Sequence, residues 1–98
     1  MLYQVNQKIP GGKLLRIQME AEETIQSISI TGDFFLHPED ALPQIEKSLV
    51  GMSAQSAPHE ITKKIEEVLA AESATFVGVA STDIAQLISE TLSQKHES

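Results

Sequence analysis

Hydrophobic and polar positions alternate through the first third of the chain. Tyr3, Val5, Gln7 and Ile9 share one parity and are separated by polar neighbours, which predicts a short edge strand. Pro10-Gly11-Gly12 interrupts it. Proline fixes φ and two glycines open positive φ, so the chain can reverse there. From Lys13 to Glu20 the alternation resumes, with Leu15, Ile17 and Met19 on one side and Arg16, Gln18 and Glu20 on the other. Ala21-Glu22-Glu23 is a polar break without the Asn-Gly signature of a tight hairpin. Thr24 to Thr31 is rich in Ile, Thr and Ser, with Ile28 and Ile30 facing one way and Ser27 and Ser29 the other. Three such segments in succession predict an antiparallel meander.

After Gly32-Asp33-Phe34-Phe35 the period changes from 2 to 3.6. Asp40 is placed to cap a first helix, with Pro43 at its third position, an apolar stripe of Leu42, Ile45 and Leu49, and Gly51 just past its end. Pro58 can open a second helix with Ile61, Ile65, Val68 and Leu69 inward and with Glu60–Lys64 and Lys63–Glu67 outward at i,i+4. Phe76-Val77-Gly78-Val79 is a short apolar crossing, and Ser81 is placed to cap a third helix burying Ile84, Leu87, Ile88 and Leu92. The expectation is an α+β fold: a small three-stranded antiparallel sheet with three helices packed on one face. Residues 1–36 form the sheet region of this single domain, 37–93 the helical region and 94–98 a frayed tail.

Composition narrows the function. Ninety-eight residues hold one core, not two. Without cysteine, the chain has no disulfide, thiolate metal site, cysteine-ligated iron–sulfur cluster or cysteine nucleophile. Seven basic against fourteen acidic residues set a formal charge of −7, a field that repels phosphate backbones, so a nucleic-acid partner is not expected. No apolar run approaches the roughly 20 residues of a membrane span. The N-terminus lacks a secretory pattern, so a cytoplasmic protein without a membrane role is expected.

Few constellations carry chemistry. His37, His59 and His96 share no helix face, which leaves surface or capping histidines rather than a metal site. Pro10-Gly11-Gly12-Lys13 is not a nucleotide-triphosphate loop, because Leu14-Leu15 and a strand follow the lysine instead of Ser/Thr and a helix. A tight turn accounts for the glycines. The flanking Lys8, Lys13 and Arg16 fit either solvated strand-edge charges or a small anion-facing patch. An extended Phe34-Phe35 pair must send its rings to opposite faces, so either both cap the core or one is free for a partner. No Ser/His/Asp arrangement can be defended, and no residue is assigned a catalytic role.

Taken together, Lys8-Ile9-Pro10-Gly11-Gly12-Lys13-Leu14-Leu15-Arg16, Ile28-Ser29-Ile30-Thr31-Gly32-Asp33-Phe34-Phe35, Pro38-Glu39-Asp40-Ala41-Leu42 and Ile45-Glu46-Lys47-Ser48-Leu49-Val50-Gly51 resemble a known family. It is the C-terminal accessory domain of lipoate–protein ligases, in particular the archaeal form in which that domain is a separate subunit. Phe76-Val77-Gly78-Val79-Ala80-Ser81-Thr82-Asp83-Ile84 is similar to the last crossing and helix start of the same family, so the resemblance runs from about Lys8 to Ile88.

The resemblance implies a fold similar to sulfur-acceptor and iron–sulfur scaffold proteins, whose cysteines this chain lacks. It also implies a role. The ligase condenses lipoate with ATP to lipoyl-adenylate, then transfers the lipoyl group to a lysine of an acceptor such as the glycine cleavage H protein or a 2-oxoacid dehydrogenase acyltransferase. The accessory part packs beside the catalytic one, is needed for activation, and changes position between the half-reactions. ATP, lipoate and Mg²⁺ are then bound in the complex and none by this chain alone. On this basis Lys8, Gly11, Gly12 and Lys13 are expected on the adenylate or phosphate side, and Arg16, Gly32, Asp33, Phe34 and Phe35 at the subunit interface. The Met1 start favours a separate subunit over an excised domain. Three other readings stand beside it: a stand-alone interaction module, a lipoyl-type carrier, which the helical second half disfavours, and a stand-alone enzyme, which the missing nucleophile–base pair disfavours.

Overall fold

The computed structural model describes residues 1–9, 11 and 13–93; Pro10, Gly12 and the tail 94–98, with its His96, lie outside the described residues. Strands β1 (Leu2–Lys8), β2 (Leu14–Ala21) and β3 (Ile25–Gly32) form an antiparallel sheet in the order β1-β2-β3. The alternation in the sequence becomes the two faces of this sheet. Val5 pairs with Ile17 and Ile17 with Ile30, while Tyr3, Met19 and Ile28 align in the next inward row. All of these except the half-buried Val5 are buried. Arg16, Gln18 and Glu20 stay exposed on the other face, beside Asn6 and Gln4 of β1 and Thr31, Ser29 and Ser27 of β3.

The register slips once. Glu20 pairs with Ser27 but Ala21 pairs with Ile25, so Gln26 is the extra residue of a bulge. The bulge turns Ile25 inward although its parity differs from that of Ile28 and Ile30.

Helices α1 (Ala41–Leu49), α2 (Pro58–Glu72) and α3 (Ser81–Ser93) follow the predicted positions. Helix α1 packs on β3, α3 on β2, and α2 lies between the two other helices. Ile45 and Leu49 of α1, Ile61 and Ile65 of α2, and Ile84 and Ile88 of α3 are fully buried against Leu15, Ile17 and Ile30. Each such side chain contributes about 1.5–3 kcal/mol relative to exposure. No helix among the described residues is long and apolar enough to cross a membrane.

Two short strands were not anticipated. Strands β4 (Phe35–His37) and β5 (Thr75–Val77) pair antiparallel, Phe35 with Val77 and Leu36 with Phe76, in a separate ribbon. The Phe34-Phe35 pair and the apolar crossing before α3 are therefore partners, and β5 sits inside the otherwise helical half.

Three local expectations are corrected. Asp40 occupies the position before α1, with Pro43 third in the helix, but its side chain makes no capping hydrogen bond. The carbonyls of Pro38 and Glu39 accept from the first two helical N–H groups instead, at 3.1 Å each. Ser81 does not cap α3: its hydroxyl is buried and donates to Glu66 Oε2 of α2 at 3.0 Å, while Asp83 Oδ2 accepts from the Ala80 N–H at 3.0 Å. Neither i,i+4 pair of α2 closes into an ion pair; Glu60 turns back from Lys64 to accept from the Ala57 N–H at 2.7 Å and orders the helix start.

Candidate functional site

The meander brings the two motif segments to one end of the sheet. Lys8 closes β1 opposite Leu14, and Gly32 closes β3 opposite Leu15. The turn between β1 and β2 is held by the Ile9 N–H donating to the Lys13 carbonyl at 2.9 Å, with Gly11 at φ +99°. The Asp33 N–H donates to the Leu14 carbonyl at 2.9 Å. The residues after the first turn and those of Gly-Asp-Phe-Phe are thus hydrogen-bonded neighbours, although about twenty positions separate them in sequence.

Gly32 is required by this approach. Its φ is +151°, and a Cβ there would collide with the Leu14 carbonyl oxygen and lie 3.2 Å from the Leu15 Cα. Gly78, just past β5, comes to the same place: a Cβ built on it would stand 3.6 Å from the Asp33 carbonyl oxygen and 3.7 Å from the Phe34 Cα. Three segments noted in the sequence therefore meet at one end of the sheet: the first turn, Gly32–Phe35 and the β5 crossing.

The adjacent phenylalanines separate as extended geometry demands. Phe34 is half-buried and packs edge-to-face on Phe76, with ring centroids 5.7 Å apart and planes at 70°. Phe35 points outward, 65% exposed, beside its strand partner Val77 at 54%. A concavity of about 310 Å³ adjoins them, lined by Gly32, Phe34, Phe35, Glu39 and Leu42 among others. Large apolar side chains left in water next to a concavity are the usual anatomy of a protein contact. The sequence motif announced Phe35; Val77 went unremarked as a surface residue, and only the β4–β5 register assigns it.

Charge is graded along the sheet. Lys8, Lys13 and Arg16 are all exposed toward the candidate end, with Arg16 opposite Asn6 and Thr31. Glu20, Glu22 and Glu23 lie at the other end, where Glu22 accepts from the Met1 ammonium. A larger concavity of about 510 Å³ at that acidic end is lined by Glu22, Glu23, Ser53 and Gln55. The basic side chains thus gather at the candidate end, with the exposed Asp33 and Glu39 near them, and the opposite end is acidic. No group of three or more His, Cys, Asp or Glu side chains placed to hold a metal ion is found among the described residues. Of the site residues expected from sequence, Lys8, Gly11, Lys13, Arg16, Gly32, Asp33, Phe34 and Phe35 are described, and they cluster; Gly12 lies outside the described residues.

Comparison with known proteins gives a consistent answer. No family model matches the chain. A 56-residue segment is 38% identical to lipoate-protein ligase A subunit 2 of Thermoplasma acidophilum, covering 56% of this chain and 58% of that protein's length. A solved chain superposes with a TM-score of 0.71 at 29% identity, covering 90% of this chain and 94% of its own length. It comes from the structure of an archaeal lipoylation system of Thermoplasma acidophilum, a bi-partite lipoate protein ligase and its E2 lipoyl domain. In sequence, then, over about half its length, the chain is similar to subunit 2 of a lipoate-protein ligase, and in fold to a chain of a bi-partite archaeal lipoylation system, in line with the resemblance its two motifs carry.

Proposed function

We propose that this chain is the non-catalytic accessory subunit of a two-part lipoate–protein ligase. It docks on a catalytic subunit and is required there for ATP-dependent activation of lipoate to lipoyl-adenylate, and hence for lipoylation of acceptor lysines. The observation that carries the proposal is the convergence of the first turn and Gly32–Phe35 at one end of the sheet, joined by the Asp33–Leu14 hydrogen bond. That end offers two things an accessory subunit needs and no catalytic set of its own. Exposed Phe35 and Val77 give an apolar contact for the partner, and Lys8 and Lys13 give positive charge where phosphate and pyrophosphate charge develops.

In this reading ATP, lipoate and Mg²⁺ are held by the catalytic subunit, and the chain works in the cytoplasm as one half of a heterodimer. Arg16 and Asp33 belong to the docking surface, and Gly11, at φ +99°, lies in the turn before Lys13. The acceptor is a lipoyl domain or H-protein lysine, met by the catalytic subunit rather than by this chain. The test is an assay of lipoyl-adenylate formation and of transfer to an acceptor, with each subunit alone and with both. Adenylate only in the mixture supports the proposal. Full activity of the catalytic subunit alone, or adenylate made by this chain alone, sinks it.

A further inference from the structure

The two edges of the sheet are treated differently by the fold. The β3 edge is covered: the Ile30 N–H donates to Glu46 Oε2 of α1 at 2.8 Å, and Ile25 exchanges hydrogen bonds with Met52 and Gly51 at 2.9 and 2.7 Å. The β1 edge is open. Met1 and Ala21 exchange both backbone hydrogen bonds, and Ile9 donates to Lys13, so the odd-numbered residues of β1 face β2. The N–H and C=O groups of Leu2, Gln4, Asn6 and Lys8 consequently point away from the sheet and find no partner among the described residues. An open edge of this length, with Lys8 at one end as its one charged side chain, is a template for another strand. Leu2, 75% exposed, lies on it.

We propose that the β1 edge pairs with the β1 edge of a second copy of this chain, antiparallel, with Leu2 opposite Lys8 of the second copy and Gln4 opposite its Asn6. This register uses every outward backbone group. The graded charge of the sheet makes it self-complementary: the Lys8 end of each copy meets the Glu20 end of the other, about 10 Å away across the intervening Leu2 strand. The Leu2 side chain then packs beside the methylene stem of the second copy's Lys8. One strand pair buries less surface than a permanent dimer needs, so the association is weak and concentration-dependent. The inference stands independently of the ligase reading, since it concerns this chain alone.

Sedimentation equilibrium from about 10 μM to about 1 mM, the range of weak dimers, tests it. The mass is expected to rise from monomer to dimer, and the amides of Gln4, Asn6 and Lys8 to gain protection from exchange as it does. Asn6→Pro removes an outward N–H and leaves the ladder to β2 intact, so it is expected to weaken association at least about tenfold with an unchanged thermal midpoint. Lys8→Glu and Glu20→Lys each weaken it, and an equimolar mixture of the two variants restores it. A wild-type monomer throughout, or an Asn6→Pro variant that dimerises as well as wild type, overturns the proposal. So does protection of the β1 amides only on adding the catalytic subunit, which assigns the edge to that partner.

Discussion

The Asp33 N–H donates to the Leu14 carbonyl at 2.9 Å, and this one bond ties the residues after the first turn to Gly-Asp-Phe-Phe. It closes the end of the β2–β3 ladder and sets where the chain leaves the sheet. Phe34 then turns toward Phe76 and Phe35 toward solvent. The start of β2, just after the first turn, and the residues leading into the apolar ribbon are therefore joined directly through the backbone.

Gly32 makes that approach possible, so Gly32→Ala is expected to cost about 1–3 kcal/mol, since its φ of +151° and the collision with Leu14 must both be relieved. Gly11 is a useful contrast. It also has positive φ, +99°, but a Cβ there meets nothing within 4 Å. Gly11→Ala should lose less stability than Gly32→Ala. Thermal or denaturant unfolding of both variants checks the order, and equal losses would show that backbone strain alone, not the close approach, demands glycine at Gly32.

Glu46 holds the other side of β3. Its carboxylate accepts from the Ile30 N–H at 2.8 Å in a half-buried setting. Glu46→Ala is expected to lose about 1.5–3 kcal/mol, the range for a hydrogen bond to a charged group, and to speed exchange of the Ile30 amide. Glu46→Gln retains an acceptor oxygen and should lose less. Amide exchange by NMR separates this edge effect from a general loss of stability.

Periodicity made much of this architecture legible. Leu15, Ile17 and Met19 at period 2, and Ile45, Leu49, Ile61, Ile65, Ile84 and Ile88 at helical spacing, all point inward as their pattern requires. What stayed hidden depends on contacts between distant segments. Strands β4 and β5 are three residues each, too short for a period to show, and exist because they pair with each other. The bulge at Gln26 is a register event between two strands, invisible in either alone. Ser81 had the residue type of a cap, yet Glu66 from the neighbouring helix claims its hydroxyl. The candidate site was legible as motifs, and Val77 was missed because its place beside Phe35 is set by that same short ribbon.

Lys8 and Lys13 give a charge-dependent prediction for the mixed subunits. Both side chains are exposed, so Lys8→Ala and Lys13→Ala should leave the unfolding midpoint nearly unchanged. Lipoyl-adenylate formation is expected to fall about tenfold or more for Lys13→Ala, because a cation near developing phosphate charge acts most strongly in a water-excluded complex. Lys13→Arg should recover part of the rate. Adenylate formation at the wild-type rate by Lys13→Ala would remove this lysine from the ligand side.

The two phenylalanines should come apart experimentally as they do in space. Phe34 shares an edge-to-face contact with Phe76 and is half-buried, so Phe34→Ala is expected to cost about 2 kcal/mol, below the 3–5 kcal/mol of a fully buried phenylalanine. Phe35, 65% exposed, contributes little to the isolated chain, and Phe35→Ala should unfold like the wild type. Its loss should appear only with the catalytic subunit present, as affinity weakened about tenfold or more, with Val77→Ala acting in the same direction. Calorimetric titration of the two subunits, beside unfolding of each variant alone, separates the roles. Phe35→Ala with full affinity and an intact fold would move the docking surface off the β4–β5 ribbon, while leaving Phe34 as the core residue its packing describes.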